Sequence, residues 1–408
     1  MHILLFYQYY HNPDCAASGR HYHFVKELSK QHRVSIITSD IWQQKRQTYN
    51  FPWAPENVDL HHLHVPYDNA MGSKARLKAY ASFMTKAIWK GLRVDKPDVI
   101  IGSSTPLTAA WAAAKVAQLR RVPWIFEIRD LWPDFPIQMG AIKHSWAQKQ
   151  LYKLEQRLYK SAAHNIPLSP DMANHVLEQG IDSNQVTTIL NGTDLGFAQS
   201  VTAEKSQNLL NQHGLAGKKI ILYAGTLGRA NAIPTILEAS RQLKNRDDLH
   251  FVVLGSGFLA PDVANAANKQ SNLTLLPPAP RHQIFDWFAT ASVSLVTFAD
   301  LPVLSTNSPA KFFDSLAAAT PVIVTNPGWT KSFIEEHNCG WFVPPEEPHT
   351  LVRCIEHIFS NPDELNRAGK NGLAIATQLF DRSKMVLQLE SILRQCVLPQ
   401  GSLKVVAG

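Results

Sequence analysis

The sequence predicts an α/β protein built from two doubly wound parallel sheets, on three observations. The chain has 408 residues, 45% of them apolar and 18% charged, enough for two domains with real cores. Short apolar, β-branched runs alternate with helical patterns through both halves. A turn signal at Asn191-Gly192-Thr193-Asp194, followed by a polar stretch from Ala198 to Lys218, separates the two series. The expected domains are residues 1–195 and 196–379, with a helix at about 380–408 crossing back onto the first. Ser383–Val397, with apolar positions at Met385, Leu387, Leu389, Ile392 and Leu393, is the candidate for that helix.

The first half opens with the strand-like run His2–Phe6, a loop, and a helix from Gly19-Arg20 to Lys30. Val34–Thr38, Val99-Ile100-Ile101 and Trp124–Ile128 read as further strands. Ligands of such sheets bind beyond the carboxyl ends of the strands. Three loops lie there: Asn12–Arg20, Gly102–Pro106 and Arg129-Asp130-Leu131-Trp132-Pro133. The last joins a guanidinium, a carboxylate and a large aromatic. Either Trp132 plugs the core while Arg129 pairs with Asp130, or Arg129 and Asp130 face a sugar or phosphate in the cleft.

Between these strands, Gly72–Lys96 carries seven basic residues and one acidic. Helical spacing places Leu77, Ala81, Met84 and Ile88 on one face, expected to pack inward, with Lys86, Lys90 and Arg93 opposite. That basic face is either simply solvated or pressed on anionic lipid, where each basic residue adds on the order of 1 kcal/mol. Trp89 beside it favours an interface. Gln138–Ala163 is a second basic segment.

In the second half, Lys219–Ala224 is a strand running into Gly225-Thr226-Leu227-Gly228-Arg229, and His250–Leu254 runs into Gly255-Ser256-Gly257. Val293–Thr297 leads to Asn307-Ser308-Pro309-Ala310-Lys311-Phe312-Phe313-Asp314, and Val322-Ile323-Val324 follows as a buried strand. Ser308 is a good N-cap and Pro309 suits the first helical position. Lys311 and Asp314, three apart, share a helical face. A helix start bearing a lysine suits a diphosphate, and a carboxylate one turn on could grip a pair of vicinal hydroxyls. The plain alternative is a capped helix with a solvated Lys–Asp pair. Neither glycine loop is a full G-x-G-x-x-G, and no G-x-x-x-x-G-K-[ST], D-x-D, zinc-spaced cluster or G-x-S-x-G occurs, which argues against dehydrogenase, P-loop, zinc and serine-hydrolase chemistry.

The net charge of +7 is uneven. Residues 1–190 hold 22 Lys and Arg against 15 Asp and Glu, whereas residues 191–408 are balanced at 18 each. One domain is therefore expected to meet an anionic partner. The four cysteines have no paired spacing, so no disulfide framework is expected, and the strand-like start lacks a signal-peptide pattern. A cytoplasmic protein, peripheral at the inner membrane face, is the expected setting.

Taken in order, Ser18-Gly19-Arg20, Ser104-Thr105-Pro106-Leu107-Thr108, Arg129–Pro133, Leu168-Ser169-Pro170, Asn191–Asp194, Gly225–Gly228, Gly255–Gly257 and Ser308–Lys311 with Asp314 resemble the retaining family-4 glycosyltransferases. The nearest branch is similar to bacterial N-acetylfucosaminyl transferases of surface polysaccharides. The resemblance implies a GT-B fold, two Rossmann-like domains facing a central cleft. It implies a donor site of Gly19, Gly225, Thr226, Gly228, Arg229, Gly255, Arg281, Ser308, Pro309, Ala310, Lys311 and Asp314, with Asp314 as the ribose-gripping acid. Arg20, Ser104, Arg129 and Trp132 fall on the acceptor side. Asp130, Arg229 and Lys311 carry the catalytic roles, Asp130 against the transferred sugar and the two cations at the leaving group. Thr306 stands where the family has a first glutamate, and Ala319-Thr320 replaces the glycine before Pro321.

The activity so implied is retaining, metal-independent sugar transfer. No cofactor is implied beyond the donor substrate, a nucleotide-diphosphate sugar, most simply UDP-linked. The acceptor implied is a polyprenyl-pyrophosphate-linked glycan held at an anionic membrane surface. A same-face substitution needs no protein nucleophile. A nucleotide-sugar epimerase of the same fold and a non-catalytic partner subunit are the competing readings. Nucleic acid is not an expected partner, since no aromatic–basic interleaving accompanies the charge.

Overall fold

The computed structural model describes residues 1–15, 19–41, 52–67 and 71–397. Ser18 and the tail beyond Pro399 lie outside the described residues. The chain forms two compact units. The first gathers Met1–Asn12, Gly19–Leu190 and the segment from Arg382 on, and the second holds Asn191–Asp381 together with the residues from Pro13.

The amino-terminal unit is a six-stranded parallel sheet of β1 (His2–Phe6), β2 (Arg33–Ser39), β3 (Val58–Leu63), β4 (Val99–Ser103), β5 (Trp124–Ile128) and β6 (His164–Pro167). Its order is β3-β2-β1-β4-β5-β6. The carboxyl-terminal unit repeats the plan with β7 (Lys219–Ala224), β8 (Leu249–Leu254), β9 (Leu273–Leu276), β10 (Val293–Val296), β11 (Val322–Val324) and β12 (Gly340–Phe342), ordered β12-β11-β10-β7-β8-β9. In each sheet the winding reverses between the first strand and the fourth. The crevices at the carboxyl ends of β1/β4 and of β7/β10 are thus the places where a ligand meets loops diverging to either side.

The central strands are apolar along their length because helices cover both faces of each sheet. One core cluster joins Ile3, Leu5, Val34, Val99 and Ile125 with Met385, Val386, Leu389, Ile392 and Leu393 of the helix Arg382–Val397. That helix therefore completes the core of the amino-terminal unit, while Leu387 on its outer side is exposed.

The basic helix spans Ser73–Gly91, but it is turned relative to the expectation. Its buried stripe is Ala79, Tyr80, Phe83 and Ala87, whereas Leu77 is 69% exposed and Ala81 also faces out. Burying the larger rings of Tyr80 and Phe83 removes more apolar area from water than burying Leu77 and Met84. Gly91 fits the same stripe, since a Cβ there would lie 2.6 Å from Phe6 Cζ. Among the described residues, no helix is long and apolar enough to cross a membrane.

Candidate functional site

The carboxyl-terminal unit builds a site at the β7/β10 crevice. Past the end of β7 the chain keeps bonding to the strand beside it. Gly225 N–H donates to Leu254 O at 2.9 Å, Leu227 N–H to Ser256 O at 2.9 Å, and Leu259 N–H returns to Leu227 O at 2.9 Å. The intervening N–H groups of Thr226 and Gly228 have no acceptor among the described residues. Two loop backbones this close leave no room for side chains between them. A Cβ on Gly255 would sit 1.9 Å from Gly225 O, and one on Gly257 would sit 2.6 Å from Leu227 O. Gly255 and Gly257 are thus required by the approach of the two loops to each other. The Tyr223 hydroxyl donates to Thr226 O at 2.7 Å and braces the loop from below.

Lys311 comes to the same loop from the other side of the crevice. Its Nζ lies 3.8 Å from the Tyr223 ring centroid, and a Cβ on Gly225 would lie 3.0 Å from it. The stem of Lys311 is partly exposed, but the Nζ atom is shielded from solvent and has no hydrogen-bond acceptor among the described residues. Burial lowers its pKa from the usual 10.5 to about 7. Ser308 Oγ and Asn307 Oδ1 are likewise buried without a partner among the described residues, which leaves three orphaned polar atoms within five residues. Such atoms are costly in a dry core and fit a polar ligand. Arg229 opens a single 3-10 turn (Arg229–Asn231), with its guanidinium 4.5 Å from the ring centroid of the exposed Phe258.

Two features differ from the sequence reading. The helix runs Ala310–Ala317 with Pro309 as its N-cap, so Ser308 precedes the cap and makes no capping bond. Instead Asn191 Nδ2 donates to Ser308 O at 2.5 Å and Trp329 Nε1 to Asn307 O at 2.8 Å, so side chains from elsewhere in the unit pin the approach to the helix. Asp314, expected at a ribose, is buried in a two-pronged ion pair. Arg281 Nη1 donates to Oδ2 at 3.0 Å and Nη2 to Oδ1 at 2.7 Å, while Thr193 Oγ1 donates to Oδ1 at 2.8 Å. Both side chains of the ion pair are almost fully enclosed. Arg281 and Asp314 hold the Lys311 helix against its neighbours, and neither presents its charge to solvent.

In the amino-terminal unit the β1/β4 crevice is lined by a network centred on Glu127, a buried carboxylate near the end of β5. It accepts from Arg20 Nε at 2.9 Å, from Ser103 Oγ at 2.6 Å, and pairs with His21 Nε2 at 2.6 Å. His21 and Arg20 set its carboxyl well below the ordinary value, against the opposing effect of burial. Burial lowers His21 to about 4 despite Glu127, so the ring is neutral. With its proton on Nε2, Nδ1 faces Arg129 Nη1 at 3.4 Å. The ring also stacks on Tyr7 at 3.9 Å.

Arg20, read from the sequence as an acceptor contact, is fully buried. It also donates from Nη1 to Leu190 O, which makes it an internal strut. Ser104 is buried too, its Oγ accepting from Arg129 N–H at 3.1 Å. Gly19 stands at φ 70° before the helix Arg20–Leu28, and its N–H donates to His11 Nε2 at 3.1 Å. Asp130 accepts from Thr105 Oγ1 at 2.6 Å, and burial raises its carboxyl pKa. His21 and Glu127 escaped the sequence reading. A glutamate inside the apolar run Trp124–Ile128 was the available signal, because a buried strand carboxylate needs a partner.

Residues 19–192 match the glycosyl transferase 4-like domain and residues 205–374 match glycosyl transferases group 1. WbjE of Pseudomonas aeruginosa, by name a glycosyltransferase, is 26% identical over 271 residues, covering 65% of this chain and 67% of its own length. WcaI of Escherichia coli (strain K12), by name a glycosyl transferase of colanic acid biosynthesis, is 25% identical over 276 residues, covering 62% and 66%. Among solved structures, Anabaena HepE in complex with UDP-glucose has a TM-score of 0.72 at 15% identity, over 97% of this chain and 100% of its own. WaaG, a glycosyltransferase involved in lipopolysaccharide biosynthesis, has a TM-score of 0.69 at 13% identity, over 96% and 99%. The expected GT-B fold is the observed one.

Proposed function

Since the chain is a glycosyltransferase, a 4-like domain followed by a group 1 domain on a GT-B fold, we propose that it transfers a sugar from a nucleotide-diphosphate donor to a lipid-linked acceptor in cell-surface polysaccharide synthesis. The observation that carries the donor side is Lys311 Nζ, shielded from solvent, without an acceptor among the described residues, and seated against the Gly225 loop. A diphosphate laid on that loop would meet the free N–H groups of Thr226 and Gly228, the Lys311 ammonium and the Arg229 guanidinium. HepE was crystallised with UDP-glucose, which favours a UDP-linked donor.

Breaking the sugar–phosphate bond builds positive charge at the anomeric carbon and negative charge on the leaving oxygen. Donors already aimed at that oxygen stabilise the transition state without reorganising during the reaction. In the proposed retaining course the acceptor hydroxyl enters on the face the diphosphate leaves, and the departing phosphate oxygen takes its proton. Arg281 and Asp314 act indirectly, by fixing the helix that carries Lys311.

The basic amino-terminal unit suits a polyprenyl-pyrophosphate acceptor at the inner face of the cytoplasmic membrane. Trp89 is largely exposed, with Arg93 stacked on its ring at 3.2 Å, beside Lys86 and Lys90. A thermal-shift screen of nucleotide-diphosphate sugars tests the proposal. One or more should stabilise the wild-type protein by several degrees, with the shift lost in Lys311→Met and reduced in Arg229→Ala. Equal shifts in all three proteins, or none with any donor at millimolar concentration, would rule the donor site out.

A further inference from the structure

In the amino-terminal unit five aromatic rings form a continuous chain of contacts along the carboxyl edge of the sheet. Centroid distances are 6.3 Å from Tyr7 to Tyr9, 5.5 Å from Tyr9 to Tyr67, 6.1 Å from Tyr67 to Tyr80 and 6.0 Å from Tyr80 to Trp132. The rings come from four places in the sequence: the segment after β1, the segment after β3, the basic helix Ser73–Gly91, and the loop after β5. Tyr9, Tyr67 and Trp132 keep part of their surface in solvent, whereas Tyr7 and Tyr80 back them from within.

This wall is not dressed as an ordinary core. The Tyr9, Tyr67 and Tyr80 hydroxyls interact among themselves, so three polar groups are gathered at one spot. Trp132 Nε1 is shielded from solvent and has no acceptor among the described residues. A buried tryptophan normally finds a partner for its N–H, and a phenylalanine would fill the space without one. Two positions earlier, Asp130 uses Oδ2 to accept from Thr105, and no hydrogen bond occupies its other oxygen among the described residues. Two guanidiniums flank the rings, Arg129 at 5.2 Å from the Tyr7 centroid and Arg76 at 5.9 Å from that of Tyr67.

Aromatic faces, hydroxyls, an uncommitted carboxylate and an indole N–H together match one chemistry. A pyranose ring has an apolar face of C–H groups and a rim of hydroxyls that both donate and accept. We propose that Tyr67 and Trp132, backed by Tyr80, form a subsite for a sugar ring of the acceptor, with Trp132 Nε1 donating to a ring hydroxyl and Asp130 accepting from one. A phosphate on that acceptor would be met by the cation of Arg129 beside Tyr7. The subsite rests on the glycosyl-transfer reading above and adds that the acceptor is recognised through a saccharide already attached to it, not through its lipid chain.

Saturation-transfer-difference NMR on the full chain tests this, with a panel of methyl pyranosides as probes and n-octyl phosphate as the competing chemistry. Saturation should reach the ring C–H protons of at least one pyranoside in the wild type. It should fall roughly fivefold or more in Tyr67→Ala, the scale of one lost aromatic contact. Trp132→Phe, which keeps a ring and removes the N–H, should also lower it. Tyr67→Phe should retain most of it, which separates loss of the platform from misfolding. Three results overturn the proposal: no saturation of any pyranoside, saturation undiminished in both Tyr67→Ala and Trp132→Phe, or saturation of octyl phosphate alone that those variants abolish. UDP-glucose binding on the same wild-type sample keeps the two readings apart. Binding of UDP-glucose without pyranosides refutes the subsite alone, and failure of UDP-glucose to bind counts against the donor site.

Discussion

The enclosed ammonium of Lys311 makes donor affinity depend on pH in a definite direction. In the free protein burial holds its pKa at about 7, against an ordinary 10.5. A bound diphosphate favours the charged form and returns the pKa toward its ordinary value, so binding takes up a proton. Below pH 7 the lysine is already charged and affinity is flat. Above it, each pH unit weakens binding about tenfold, or roughly 30-fold between pH 6 and pH 8.5. UDP-glucose is a suitable probe because its diphosphate diester has no proton to lose in that range. Calorimetric titration in two buffers of different ionisation enthalpy should count close to one proton taken up at pH 8 and almost none at pH 6. Lys311→Met should bind more weakly and without the pH slope, and Lys311→Arg should bind without proton uptake. A flat affinity from pH 6 to 8.5, or the same slope persisting in Lys311→Met, would refute the reasoning. The same shift acts on the unliganded fold. The unfolded chain binds the extra proton between pH 7 and 10.5, so stability rises with pH across that window.

Three other outcomes follow from the packing and charge. Gly255→Ala places a Cβ 1.9 Å from Gly225 O, and should cost on the order of 3 kcal/mol in urea unfolding, with donor binding lost alongside. Acidification should unfold the amino-terminal unit early. His21, at about 4 in the fold against 6.5 free, leaves the unfolded chain with more protons between those values, so stability falls as pH drops from 6.5 to 4. Glu127, held below its ordinary 4.5, adds a further loss below that value, and His21→Phe should flatten the upper part of the curve in pH-dependent melts. Replacing Lys86, Lys90 and Arg93 with Glu should release the protein from vesicles rich in anionic lipid, at about 1 kcal/mol or more per site. Unchanged flotation would reject that helix as the contact.

Most of the fold was legible because the central strands are buried on both faces. The segments of β1, β2, β4, β5, β7, β8, β10 and β11 all read as apolar runs. The strands that were not read, β3, β6, β9 and β12, are the four edges of the two sheets. An edge strand is bonded on one side and partly open, so it tolerates sequences such as Val58-Asp59-Leu60-His61-His62-Leu63 that carry no strand signal. The Gly225 loop and Lys311 could be read as candidates because their chemistry is local. Asp314 could not be placed, since its partner Arg281 lies 33 residues away and nothing in either neighbourhood announces the pair. Arg20 and Glu127, 107 residues apart, are hidden for the same reason. Periodicity also failed for the basic helix, where two apolar stripes compete and the larger rings decide which one turns inward.

The helix Arg382–Val397 also sets the order in which the chain can acquire its structure. Met385, Val386, Leu389, Ile392 and Leu393 share one core cluster with residues of β1, β2 and the helix Arg20–Leu28. During synthesis the whole of Asn191–Asp381 must therefore be made before those early residues can be fully covered. The unit begun first is finished last, and on the ribosome its exposed apolar surface outlives that of its neighbour. A premature stop just before residue 382 would spare every residue of the Lys311 site and still strip the amino-terminal unit of its closing helix.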